Sequence, residues 1–534
     1  MNRRVFMLGM GAAAAASAGG YWRLREAPTV VHAPGKSEGH ALRDRRRLPP
    51  ASEVIETDVV ILGSGIAALT AAWKLNREGW RNFLMIDGPQ PYGNAAALDA
   101  HAVPCPTGAH YLPLPGPELI HVREILRDLG VLLHGMANEQ PVYDERYLLH
   151  APEERLLFNG RWQEGILPKE GVPQAELEEH ARFFRLVEQG KAAKGMDGRP
   201  AFAFPMANSS MDASWRALDR LSMKAWLDER GFRSPTLHWY VDYCCRDDYG
   251  AAYGQVSAWA GMHYFCSRHG RAQNAADGAW LTWPEGLHFL AAGLDRAAGA
   301  RRRPGMAWEL SERGRGVEVL CAELADGRPK SFLIKARRAI CAMPLHVAAG
   351  IMPGLQSYGF DAALHLPSHA PWMVANFLMN QFPEELPAAP LSWDNVVFGG
   401  RGLGYVVSTH QDIRVSPPAK FVFSAYHAFG GQPPGQVRRW MESAAAAELL
   451  DVAGADLRAA YGSRLAGCVE RVDITLRGHA MACPGVGFLG NAGLRALRAA
   501  DGPVLFAHAD LSGFSVFEEA SWWGYQAAVR LLAA

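Results

Sequence analysis

The chain has 534 residues, 49% hydrophobic and 20% charged, which is enough for two or more domains around a large core. Its 54 basic and 54 acidic side chains cancel, so no extended nucleic-acid footprint is expected, and the short clusters Arg43–Arg47 and Arg301–Arg303 read as solvated turns. The eight cysteines form no CxxC pair and are too sparse for a disulfide framework, which removes zinc and thioredoxin-like chemistry; the vicinal Cys244-Cys245 reads as two buried thiols.

Residues 1–20 carry Arg3-Arg4 followed by Val5, Phe6 and Met7, then a weakly apolar Ala/Gly run with a small-residue exit at Ala16-Ser17-Ala18. The Arg3-Arg4-x-Phe6 pattern looks like a twin-arginine export signal, which implies the export machinery as a partner and a periplasmic location. Cleavage after Ala18 and retention as a membrane tether both stay open. The polar, Arg-rich residues 21–56 read as a linker.

Residues 57–87 are patterned as a βαβ unit. Thr57–Leu62 is an apolar, β-branched strand, and Gly63-Ser64-Gly65-Ile66-Ala67-Ala68 follows at once. A helix is predicted from Ile66 to Glu78, stopped by Gly79, then a strand Phe83–Ile86 ending on Asp87. Gly63 permits the tight turn, Gly65 lets backbone N–H groups approach a pyrophosphate, and Ala68 stands where the helix packs on the strand. Ile66 and Ala67 open the helix. Asp87 is placed to accept hydrogen bonds from ribose hydroxyls. The unit by itself fits NAD or FAD.

Further along, Leu156–Gln163 is patterned as a hairpin around Asn159-Gly160, and Ala175–Val187 and Ala217–Gly231 as helices. His238–Arg268 is dense in aromatics and holds Arg246-Asp247-Asp248, read chiefly as a structural ion-pair cluster. Strand signals occur at Val317–Cys321, Phe332–Ile334, Arg338–Ala342, Val374–Leu378, Tyr405–Ser408, Phe421–Ala425 and Pro503–Ala507. A second GxGxxG at Gly485–Gly490 follows Pro484 and no strand, so it reads as a glycine turn and not as a separate NAD(P)H site. A final helix is predicted from Phe517 to Leu532.

With these segments in place, the chain resembles the flavin-containing amine oxidase superfamily and its phytoene desaturase and protoporphyrinogen oxidase relatives. Three segments carry the likeness: Gly63–Asp87, Lys335–Pro344 ending in Ala-Met-Pro, and Phe506–Asp510 with the helix around Glu519–Ala528. The resemblance implies FAD as cofactor. It implies an α/β fold: a Rossmann-like FAD-binding domain of the glutathione-reductase type with an interleaved α+β substrate domain. The expected division is 57–115, 290–350 and 485–534 for the discontinuous FAD-binding domain, and 116–289 with 351–484 for the substrate domain. Gly93-Asn94 is what remains of the family's arginine-flanked double glycine. Asp510 would be the acid meeting the ribityl or pyrophosphate region, with Leu511–Phe517 turning beneath the flavin ring. His508, Ala509, Glu519 and Trp523 depart from the family pattern.

The strand Trp372–Asn380 holds no lysine, although many amine oxidases of the family place one near flavin N5. His110 and His508 are the candidate catalytic histidines, because their motifs lie beside the expected cofactor, and Tyr111 accompanies His110. Each has the plainer reading of a satisfied polar residue. The expected activity is hydride transfer from an amine-like small molecule, with a polyamine suited to an aromatic pocket near Asp247, Asp248 or Glu285. Two alternatives stand: a desaturase or isomerase of an apolar isoprenoid-like substrate, and a flavin-binding partner protein without turnover.

Overall fold

The computed structural model describes residues 27–533, apart from 101–102, 324–328, 387, 411, 413, 415, 417 and 466; the twin-arginine segment lies outside the described residues. Two sheets organise the chain. The first has seven strands. Arg301–Arg303, Phe83–Ile86, Val54–Leu62 and Lys330–Cys341 lie side by side and parallel. The far edge of Lys330–Cys341 is shared: its first half takes the antiparallel hairpin Met306–Arg313/Gly316–Glu323, and its second half takes Val504–Phe506 in parallel. Three distant stretches of chain therefore meet in one sheet. The two strands expected at Phe332–Ile334 and Arg338–Ala342 are one continuous strand.

Val59–Leu62 are fully buried because helices cover this sheet, and an unbroken apolar run is what a doubly covered parallel strand needs. The helix Ile66–Arg77 packs against His288–Ala298 and against the C-terminal helix Phe517–Ala533. Contact with the latter is close at Gly524, where a Cβ would fall within the radius of the Ala67 carbonyl oxygen.

The second sheet has eight strands in the order Thr29–His32, Val469–Ala482, His369–Met379, Phe421–Ala428, Tyr405–Val407, Asp394–Val397, Glu154–Phe158 and Arg161–Glu164. The hairpin closing one edge turns at Asn159 and Gly160, both at positive φ (50° and 76°), as a two-residue Asn-Gly turn demands. The other edge corrects the linker expectation for 21–56. Thr29–His32 pairs in parallel with Val472–Thr475, and Lys36–Arg43 is helical. The helix expected over Ala217–Gly231 is broken. A short 3₁₀ turn ends at Arg220, and Ser222 then caps a separate helix, Met223–Glu229, by accepting from the Ala225 N–H. The second GxGxxG follows the strand Val469–Ala482 after Cys483-Pro484 and forms a turn with a 3₁₀ segment at Phe488–Gly490, its Gly485 bridging to Val256. All eight cysteines are free thiols. Among the described residues no helix is long and apolar enough to cross a membrane.

Candidate functional site

The glycine loop is built for a bound anion. Gly63 has φ 115°, and a Cβ there would lie 2.8 Å from the Ala342 carbonyl oxygen, so both conformation and space require glycine. Its N–H donates to the Ile86 oxygen at 2.9 Å. Gly65 is the extended N-cap of the helix Ile66–Arg77 and supplies no capping side chain, which leaves the first N–H groups of that helix open. Ala67 and Ala68 are buried beneath, and Ile66 packs at the rim. The Ser64 oxygen accepts from the Tyr92 N–H at 3.1 Å, and Gly93 lies against Gly65 (3.9 Å from an added Cβ to its Cα). The residual Gly93-Asn94 motif therefore sits directly on the glycine loop.

Asp87 ends its strand as expected. Its Oδ1 is held by Arg302, with the Nε at 2.6 Å. Arg302 also pairs with Asp295, which accepts from the Tyr92 hydroxyl at 2.9 Å. The carboxylate is thus fixed in place at the end of its strand.

Asp510 differs from expectation. Its Oδ2 accepts from the Leu345 N–H at 2.9 Å and its Oδ1 from His369 Nε2 at 3.0 Å. His508 Nδ1 in turn accepts from the Asp510 N–H at 3.1 Å. Burial opposes ionisation, but His508 and His369 hold the carboxyl well below its usual range. Asp510 thus clamps the end of the C-terminal strand to the segment just after Met343-Pro344, and His508 holds Asp510 in place. A histidine on the neighbouring sheet, which sequence spacing does not reveal, takes the acid. Phe517 is buried and starts the last helix.

Two departures from the family pattern find a joint explanation. Trp523 Nε1 donates to Ser512 Oγ at 2.7 Å, Ser512 bonds Glu519, and Glu519 Oε1 accepts from the Met206 N–H at 2.5 Å. They form one buried chain that fixes the turn at 511–516, and burial raises the Glu519 carboxyl to about 7.

On the other side of Gly108–Ala109 lies an aromatic chamber. The His110 ring stacks on Tyr426 at 4.3 Å and lies 5.6 Å from Trp393. Tyr111 meets Trp280 edge-on at 4.8 Å and bonds Asp247 through its hydroxyl at 3.2 Å. Burial lowers the His110 imidazole to about 3, so it is neutral and a weak base at ordinary pH.

Asp247 joins two acids that sequence reading did not bring together. Glu154 and Asp394 are directly paired on parallel neighbouring strands, so their side chains share one face about 5 Å apart. Glu154, Asp247 and Asp394 are each half-buried. Burial raises all three carboxyls. Glu153 and Asp247 add to the rise at Glu154, which reaches about 7. Asp248 adds at Asp247, which reaches about 6, and Glu154 and Asp247 push Asp394 higher still. The nearby arginines are engaged elsewhere: Arg246 with Asp242, and Arg268 with Asp248. The structural reading of Arg246 and Asp248 thus holds, whereas Asp247 turns to the chamber. Among the described residues none of the three chamber acids forms an ion pair.

The strand expected to lack a lysine, His369–Met379, carries buried Asn376 at its centre, bonded to the Pro106 carbonyl at 2.9 Å and to Ser424 Oγ at 2.6 Å.

Residues 61–129 match the NAD(P)-binding Rossmann-like domain family. No curated protein matches the sequence. Among solved structures, the chain is similar to wild-type putrescine oxidase bound to putrescine, with TM-score 0.64 and 15% identity over 90% of this chain and 100% of that one. It is also similar to cyclohexylamine oxidase from Brevibacterium oxydans, with TM-score 0.61 and 17% identity over 89% of this chain and 98% of that one. A fatty acid isomerase from P. acnes that produces CLA superposes with TM-score 0.57 and 13% identity over 89% and 98%. At these identities the likeness is one of fold: a Rossmann-like nucleotide domain joined to a second, sheet-based domain.

Proposed function

We propose that the chain is an FAD-dependent oxidoreductase that oxidises a short di- or polyamine after export to the periplasm. The observation that carries the substrate class is the trio Glu154, Asp247 and Asp394. Three clustered acids with no ion-pair partner among the described residues are costly to ionise unless a cation completes them. A distal ammonium supplies that cation, and the faces of Tyr111, Trp393 and Tyr426 suit its methylene chain and its charge. The open helix terminus, Gly63 and the fixed Asp87 fit the diphosphate and ribose of FAD, which when bound supplies the hydride acceptor. Neutral His110 does not protonate the reacting amine, so the free base that oxidation requires is preserved. An apolar isoprenoid-like or fatty substrate is disfavoured by the same three acids. The fold likeness to putrescine and cyclohexylamine oxidases supports an amine over a partner role without turnover.

The test is a spectrum of protein purified from the periplasmic fraction. A bound flavin that bleaches anaerobically with putrescine or spermidine is the expected result. Flavin-free protein, or a spectrum unmoved by every amine, sinks the proposal, and recovery only from the cytoplasm sinks its export part.

A pH dependence follows from the raised acids. Their neutral forms are favoured in the fold, so the stability they contribute is full below about pH 4 and is lost as pH rises through the folded values. That window runs from about pH 4 up to about 6 for Asp247 and up to about 7 for Glu154. Thermal melts of amine-free protein are expected to fall across this window. The stabilisation given by added putrescine should grow across it, because a dication selects the ionised acids. Putrescine stabilisation that is flat with pH would contradict this.

A further inference from the structure

Arg477 is only 8% exposed, on the strand Val469–Ala482 of the second sheet. Its guanidinium reaches across to the nucleotide domain. Nε donates to the Thr107 carbonyl at 2.7 Å and one terminal nitrogen to Thr107 Oγ1 at 2.8 Å. The other terminal nitrogen donates to Gln90 Oε1 and Asn94 Oδ1, each at 3.1 Å. All four acceptors are neutral, and no aspartate or glutamate pairs with it among the described residues. Burial lowers it only to about 10, so it stays cationic at neutral pH.

A buried cation among neutral acceptors calls for an anion. The surroundings say which one. Gln90 and Asn94 flank Tyr92 and Gly93, the residues seated on Ser64 and Gly65. The sequence there reads Gly93-Asn94-Ala95, with no arginine of its own. We infer that Arg477 supplies, from the strand Val469–Ala482, the positive charge facing the dinucleotide diphosphate, and so ties cofactor retention to the contact between that strand and the loop at Gln90–Thr107. The inference rests on the FAD reading given above.

Flavin retention tests it without turnover. Arg477→Met is expected to weaken FAD binding about 10- to 100-fold, the range for a lost charge-assisted hydrogen bond, read from the flavin fluorescence released on dilution. Arg477→Lys should fall between parent and Arg477→Met. Gln90→Glu guards against simple misfolding, because it keeps the shape of the loop and places a carboxylate on the guanidinium. It should also speed FAD release, whereas an arginine with a structural role alone predicts unchanged retention. Parental retention in both Gln90→Glu and Arg477→Lys overturns the inference and leaves the oxidoreductase reading intact. A changed flavin midpoint potential with unchanged retention also overturns it, because the charge would then face the ring. A parent protein that binds no FAD overturns both.

Discussion

Glu154→Gln combined with Asp394→Asn is expected to raise KM for putrescine about 100-fold or more, while a monoamine of similar length changes less than about threefold. A hydrogen bond to a charged group contributes about 1.5–3 kcal/mol, and the double variant removes two carboxylate acceptors of the distal ammonium. The monoamine has no distal charge to lose. The same variant carries a second signature of opposite sign. In amine-free protein the paired acids repel across adjacent strands and are buried, so the amides should melt higher than the parent above about pH 7. Most core substitutions destabilise; a variant that gains stability while losing diamine affinity identifies a site held under electrostatic strain for a ligand. Equal losses for diamine and monoamine would place the three acids outside the substrate path.

Gly524→Val should be the most damaging single change in the nucleotide domain. A Cβ at this position meets the Ala67 carbonyl, which belongs to the first turn of the helix that opens at the glycine loop. Both partners are helix backbone, so neither can give without moving its helix. The expected cost is about 3 kcal/mol or more from overpacking, with loss of flavin before loss of the fold. Far-ultraviolet circular dichroism and the flavin-to-protein absorbance ratio separate the two. A variant that keeps parental flavin content would show that the two helices part without disturbing the glycine loop.

What the sequence made legible was local chemistry. Gly63, Gly65 and Asp87 act within one βαβ unit, and Asn159-Gly160 fixes its hairpin by its own backbone angles, so each can be read from neighbours along the chain. Features set by register or distance were hidden. Glu154 and Asp394 become a pair only because their strands align residue for residue. Arg477 looks like any alternating polar residue of a strand, and its role appears only when Thr107 and Asn94 are brought beneath it. The Thr29–His32 strand was missed because four residues in a polar stretch carry little periodicity. Asp510 is a mixed case: its position was found from the motif, but the His369 that turns it lies on another sheet.

The parallel pairing of Thr29–His32 with Val472–Thr475 bears on the order in which the molecule can be completed. The first of these strands leaves the ribosome early and its partner more than 400 residues later. For nearly all of synthesis the N-terminal strand has nothing to dock on. It can seat only once Val469–Ala482 has been made, which needs most of the chain. Its docking is therefore a late event in assembly, and a chain truncated ahead of Val472 would leave the segment that follows the twin-arginine pair unanchored. The edge strand thereby makes completeness of the far end readable at the near end.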